Sequence, residues 1–189
     1  MRVSLRLLRS GRRAFPVLLL PLVLAACAGS AATREADPAP REGWPVPDVE
    51  QRLRAGVDAW LGVPHRWGGT SRQGVDCSGL THVLFRDLFG VTLPRTTEDQ
   101  ARTGRRIPPQ ALLPGDLVFF NIDKGSRHVG VYLCCGTFAH ASSSRGVMIS
   151  RLDEPYWERA FWMARRVLPL SGHPAPATAP PTTGNRTGW

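Results

Sequence analysis

The hydrophobic pattern changes its period at Pro114-Gly115-Asp116. Before this turn signal apolar residues recur at helical spacing; after it they alternate in short runs, as strands do. Helices first and then a run of about five strands, the last of them after "EPYWERA", predict an α+β fold, with N-terminal helices packed on a mostly antiparallel sheet. "PDVEQRLRAGVDAWLG" sets Val49, Leu53, Val57, Trp60 and Leu61 at helical spacing, with Asp48 as N-cap and Gly62 as stop. "CSGLTHVLFRDLFG" repeats the spacing at Leu80, Val83, Leu84 and Leu88 and stops at Gly90. A short helix in "TTEDQARTG" is capped by Thr96 or Thr97. The intervening "VPHRWGGTSRQGVD" reads as a loop, in which Gly68, Gly69 and Gly74 permit tight turns. "DLVFF", "HVGVYL", "TFAHAS", "GVMISRL" and "FWMARRVL" supply about five strands.

The N-terminus reads as targeting rather than fold. Arg2, Arg6, Arg9, Arg12 and Arg13, with no acid among them, precede "AFPVLLLPLVLAA". That run falls well short of the ~20 residues a spanning helix needs, and Pro16 and Pro21 interrupt it, which is the pattern of a secretory signal. "LAAC", ending at Cys27, resembles a bacterial lipobox. The resemblance implies a lipoprotein signal peptide over 1–26, lipidation of Cys27, and anchoring in the bacterial cell envelope. Ala28 stands where an acidic retention signal would sit, so the expected location is the outer membrane, facing the periplasm. Residues 27–47 then form a flexible tether, and 169–189 a disordered Pro-rich tail in which His173 has no role. The span 48–168 is the size of one domain.

The formal charge of +9 falls to about +4 without the five leading arginines, and the remaining cations are dispersed. A nucleic-acid footprint would be a basic stripe interleaved with aromatics; the chain has none.

Cys77 lies where the second helix begins. Free N–H groups and the helix dipole there favour an anion, which is expected to lower the thiol pKa; the same N–H groups suit an oxyanion. A thiol nucleophile needs a base, and the base an orienting partner. If "CCG" (134–136) is a three-residue hairpin loop, with Gly136 left-handed, Leu133 faces Thr137. His128 and His140 then share one face as diagonal neighbours; a two-residue loop would send them to opposite faces. His82 reads as a satisfied helix residue. The cysteines lack zinc-ligand spacing, so no metal is expected. Cys134 and Cys135 read as two free thiols, with a strained vicinal disulfide as the alternative.

Five stretches, "WGGTSRQGVDCSGL", "LPRTTEDQA", "LLPGDLVFF", "RHVGVYL" and "FAHASSSRGVMISRLDEPYW", resemble the NlpC-type cell-wall cysteine peptidases. The resemblance covers about residues 50–168 and implies a compact papain-like fold. The last stretch and the lipobox look most like the murein endopeptidases of the DD type. By position, the resemblance implies Cys77 as nucleophile, His128 as general base and His140 as the residue orienting it, with no cofactor. It implies peptidoglycan stem peptides as substrate and the D-Ala–meso-diaminopimelate cross-link as the bond cut. The alternatives are the γ-D-glutamyl–diaminopimelate bond, or a non-catalytic peptidoglycan-binding lipoprotein. Asp76 and Ser78 match positions near the substrate groove, or cap the helix and bond locally. Trp67 lines the groove or belongs to the core. His65 stands where the family has tyrosine, which makes it a substrate-site candidate.

Overall fold

Apolar spacing sets the first helix, but a proline sets its start. In the computed structural model, which describes residues 43–122 and 125–173, α1 (Val46–Asp58) buries Val49, Leu53 and Val57. Pro45 is its N-cap rather than the expected Asp48, which lies in the first turn. Pro47 is tolerated there because the first-turn N–H groups have no intrahelical acceptor. The helix ends before Leu61, so that residue leaves the buried stripe and is 46% exposed. The signal segment and Cys27 lie outside the described residues, as does the tail beyond His173.

The expected loop contains a small hairpin, β1 (Thr70–Ser71) with β2 (Gly74–Val75). Asp76 caps α2 (Cys77–Phe89), and Gly90, with φ +68°, closes it in the left-handed region. Thr96 caps α3 (Thr97–Gln100), its hydroxyl accepting from the Asp99 N–H. Then follow β3 (Arg105–Ile107), β4 (Leu117–Ile122), β5 (Ser126–Tyr132), β6 (Thr137–Ser142), β7 (Gly146–Arg151), α4 (Pro155–Ala160) and β8 (Phe161–Arg166). The main sheet is antiparallel, in the order β3-β8-β4-β5-β6-β7. Its sixth strand, β3, escapes a pattern reading because it has three residues, two of them arginines.

Strand alternation gives the sheet two apolar faces. Leu117, Phe119, Val129, Val131, Ala139 and Ala141 join the cluster built with α1 and α2. Val118, Phe120, Phe138 and Ala164 form a second cluster with Ile107 and with Trp157 of α4. A buried ion pair ties β8 to the start of β4. Arg166 Nε and Nη2 donate to the two Asp116 oxygens at 2.8 and 2.7 Å. Burial pushes the Asp116 carboxyl above its ordinary range, against the pull of Arg166.

The packed unit is slightly wider than 48–168. Trp44, expected in the tether, donates its N–H to Pro169 O (2.7 Å), and Leu170, expected in the tail, is buried.

The β5–β6 hairpin positions the two histidines. Val131 pairs with Ala139 and Tyr132 with Phe138, while Leu133 N–H donates to Thr137 O at 2.9 Å. The connection is therefore three residues long and carries the expected register. Gly136 is left-handed (φ +77°), and so is Cys135 (φ +53°). Cys134 and Cys135 are free thiols.

Candidate active site

The first turn of α2 is clamped from two sides. Asp76 Oδ1 accepts from the Gly79 N–H (2.7 Å) and Arg95 Nη1 (2.9 Å). Its Oδ2 accepts from the Gly68 N–H (2.7 Å) and Arg95 Nη2 (2.7 Å). Burial pushes this carboxyl up, yet Arg95 and the two backbone N–H groups together hold it below its ordinary value. Ser78 Oγ donates to Asp76 Oδ1 and accepts from Arg95 Nη1. Both residues line the cleft, but their polar atoms are occupied by capping and local bonding. Gly79 has no room for a side chain, since a Cβ there would collide with the Gly69 carbonyl oxygen.

From the other side, Gln100 Nε2 donates to Ser78 O (2.9 Å) and Pro94 O (2.8 Å), and its Oε1 accepts from Thr81 Oγ1 (2.8 Å). Residues 94–100 thus brace the turn that presents the thiol. Sequence reasoning matched this stretch but did not single out Arg95 or Gln100, and it named Thr97 only as a candidate helix cap. An arginine directly before the cap Thr96 was the available signal for the first.

Cys77 Sγ lies 3.7 Å from Thr97 Oγ1. Burial pushes the thiol pKa up, and hydrogen bonds from Thr97 and from the Val129 and Ser78 backbone only partly offset it. The expected lowering at a helix start is therefore reversed. Thr97 of α3 and the Val129 backbone of β5 lie against the half-buried sulfur, and desolvation of the thiolate, together with the nearby Asp76 charge, exceeds what those hydrogen bonds return.

His128 on β5 and His140 on β6 meet at Nε2···Nδ1 3.0 Å, and His140 Nε2 lies 3.1 Å from Ser150 Oγ on β7. Burial lowers the His128 pKa to about 4, with a further push from His65, and lowers that of His140 to about 3, with help from His128 and Arg145. Both rings are therefore neutral near pH 7. The hydrogen-bond chain is compatible with the tautomer that a base needs, the one in which Ser150 is the acceptor. With Ser150 accepting from His140 Nε2–H, His140 Nδ1 accepts from His128 Nε2–H, and His128 Nδ1 keeps its lone pair. Trp157 stacks on His128 (centroids 5.6 Å, interplanar 24°) and meets His140 edge-on at 4.8 Å. Ser150 and Trp157 were not identified from sequence, because only the folded β7 and α4 bring them to the pair.

Cys77, His128 and His140 line one cleft of about 1070 Å³ together with His65, Trp67 and Thr97. Trp67 is 90% exposed, so it belongs to the rim and not to the core. His65 is half-buried and bridges to Val75. His82 Nδ1 bonds Leu93 O at 2.7 Å and takes no part in the cleft. Among the described residues, no group of three His, Cys, Asp or Glu side chains is disposed to hold a metal ion. The arrangement can do acyl-transfer chemistry: a thiol at a helix N-terminus, and a histidine with a free ring nitrogen and a partnered one.

Comparison with known proteins agrees with this chemistry. Residues 62–166 match the NlpC/P60 family. Over 113 residues the chain is 50% identical to the probable endopeptidase NlpC of Escherichia coli, covering 59% of this chain and 73% of that protein. Over 124 residues it is 44% identical to the murein DD-endopeptidase MepS/murein LD-carboxypeptidase of Escherichia coli, covering 66% of each. The crystal structure of an NlpC/P60 family protein from Bacillus cereus superposes with a TM-score of 0.59 at 37% identity. That match covers 67% of this chain and 41% of the other.

Proposed function

The chain belongs to the NlpC/P60 family, and from that premise we propose that it is a peptidoglycan endopeptidase, a cysteine hydrolase that cuts the D-Ala–meso-diaminopimelate cross-link between stem peptides. The observation that carries the reading is the chain His128···His140···Ser150, which leaves one His128 nitrogen free in the cleft that holds Cys77. The choice of bond is supported by the likeness to a murein DD-endopeptidase.

In this mechanism Cys77 Sγ attacks the scissile carbonyl carbon while its proton passes to His128 Nδ1. Burial raises the thiol pKa and lowers the imidazole pKa, so the resting pair is neutral and proton transfer accompanies attack. His140 accepts from His128 Nε2–H and stabilises the imidazolium as it forms. The Cys77 backbone N–H, at the open end of α2, donates to the oxyanion. The imidazolium then protonates the departing amine, leaving a thioester on Cys77. Water, deprotonated by His128, attacks the thioester, and collapse releases the carboxylic acid and restores the thiol.

We further read residues 1–26 as a signal peptide and Cys27 as the lipid attachment point, which would hold the domain at the outer membrane facing the periplasm. The support is the "LAAC" sequence after the basic and apolar segments. Cell fractionation of the full chain beside Cys27→Ala tests it: the wild type should sediment with the outer membrane and the variant should not.

The bond assignment is tested by digesting a defined cross-linked muropeptide dimer and weighing the products. Two stem-peptide monomers are expected. A fragment that begins at diaminopimelate would instead mark the γ-D-glutamyl bond as the one cut.

A further inference from the structure

Two threonines stand side by side at the start of α3, and their hydroxyls have different partners. Thr96 Oγ1 serves its own helix, accepting from the Asp99 N–H at 3.2 Å and donating to Asp99 Oδ2 at 2.8 Å. Thr97 is buried in the wall of the catalytic cleft. Among the described residues its hydroxyl has one hydrogen-bond partner, Cys77 Sγ at 3.7 Å. Buried hydroxyls are as a rule hydrogen-bonded, and the partner here is the sulfur of the nucleophile.

Contacts that involve neither group hold the two together. Gln100, one turn further along α3, is fully buried and donates to Ser78 O at 2.9 Å, which ties α3 to the first turn of α2. Its backbone N–H donates to Thr96 O at 3.0 Å, and Thr97 O accepts from the Ala101 N–H at 2.9 Å. Hydroxyl and thiol are thus carried on two helix starts that Gln100 joins. A thiol sulfur is a weak acceptor, whereas a hydrogen bond to an ionised acceptor is about twice as strong as a neutral one. A hydroxyl that donates to Sγ therefore gains strength as charge gathers there, and it leaves the S–H free to face His128. Burial raises the Cys77 pKa, and of the groups that offset it Thr97 comes first, ahead of the Val129 and Ser78 backbone.

We propose that Thr97 is a further catalytic residue, whose hydroxyl donates to Cys77 Sγ and stabilises the negative charge that the sulfur carries at two points of the reaction. The inference rests on the endopeptidase reading for the role of Cys77 as nucleophile. At the first point the S–H bond breaks, its proton passes to His128 Nδ1, and the sulfur lone pair forms the bond to the scissile carbon. At the second the C–S bond of the hydrated thioester breaks, its electron pair returns to sulfur, and sulfur takes the proton back from His128. Thr97 keeps its own proton throughout.

The test reads the thiol directly, as the rate of Cys77 alkylation by iodoacetamide, with each cysteine resolved by peptide mass mapping. Losing a hydrogen bond to charge should lower the thiolate fraction by about 10-fold, and the freed thiolate regains roughly 3-fold in nucleophilicity. Thr97→Val should therefore be alkylated about 3-fold more slowly than wild type between about pH 7 and 9. Its kcat on a cross-linked muropeptide dimer should fall as well, with KM little changed. Thr97→Ser keeps the hydroxyl and should recover most of both rates. If Thr97→Val melts early, Thr97→Ala read against Thr97→Ser isolates the same hydroxyl. Alkylation of the folded hydroxyl-free variant as fast as wild type or faster would overturn the proposal, since a merely loosened site exposes the thiol. Equal slowing in Thr97→Ser would overturn it too, by assigning the effect to the methyl group. A dimer left intact by wild type, beside the expected alkylation rates, would count against the endopeptidase reading alone.

Discussion

His128 Nε2 and His140 Nδ1 lie 3.0 Å apart on neighbouring strands, with Ser150 Oγ 3.1 Å beyond. One ring nitrogen of His128 is thereby partnered, and the other is left free for the role of base proposed above. His140→Ala should lower kcat by about 10²-fold or more, since the base loses its tautomer and its aim. Ser150→Ala removes a single neutral hydrogen bond and should cost less than about 10-fold. Steady-state kinetics on one muropeptide checks both, and a larger loss in Ser150→Ala would contradict the order of the chain.

The same pair makes stability depend on pH. Folded His128 and His140 titrate at about 4 and about 3, against an ordinary 6.5. As pH falls below 6.5 the unfolded chain binds protons that the folded chain does not. Stability is therefore full above about pH 6.5 and drains away towards pH 4, at up to about 1.4 kcal/mol per pH unit for each histidine. Urea unfolding at pH 7 and pH 5 should show the loss in wild type and a smaller one in His140→Asn. Parallel losses in the two proteins would mean that His140 is not the group titrating.

His65 adds to the lowering of the His128 pKa, second to burial. His65→Tyr removes that charge, so the His128 pKa should rise. The acid limb of kcat/KM should move to higher pH with activity retained near neutrality. A profile that does not move would remove His65 from the electrostatics of the site, and complete inactivity would show that tyrosine is no substitute for it.

Arg95 joins the Gly68 loop to the first turn of α2 through Asp76. Arg95→Gln leaves that buried carboxylate short of its charged partner. About 2 kcal/mol of stability should be lost, allowing for the partial exposure of the arginine. Because the thiol-bearing turn loosens, kcat should fall at temperatures where the variant is still folded. Thermal melts read beside kinetics check this, and a variant that melts early with wild-type kcat would limit Arg95 to a stabilising role.

Much of this site could be read from local rules. Gly136 set the hairpin loop at three residues, and strand parity then put His128 and His140 on one face, as the register of Val131 with Ala139 shows. The apolar spacing from Cys77 marked a helix start that the structure contains, and Asp76 takes the capping role that was one of its two readings. What could not be read depends on tertiary contacts. Ser150 and Trp157 reach the histidines only through β7 and α4, and β3 is defined by pairing with β8 rather than by its own pattern. The direction of the Cys77 shift was misread for the same reason, since a helix end is a local feature and burial is not.

The central claim is that Cys77 breaks the cross-link with His128 as its base. Digestion of a purified cross-linked muropeptide dimer by the wild type, by Cys77→Ala and by His128→Ala tests it most directly. Wild type should convert dimer to monomer, and both folded variants should leave it intact. Monomer release by Cys77→Ala at the wild-type rate, or none by wild type itself, would contradict the account.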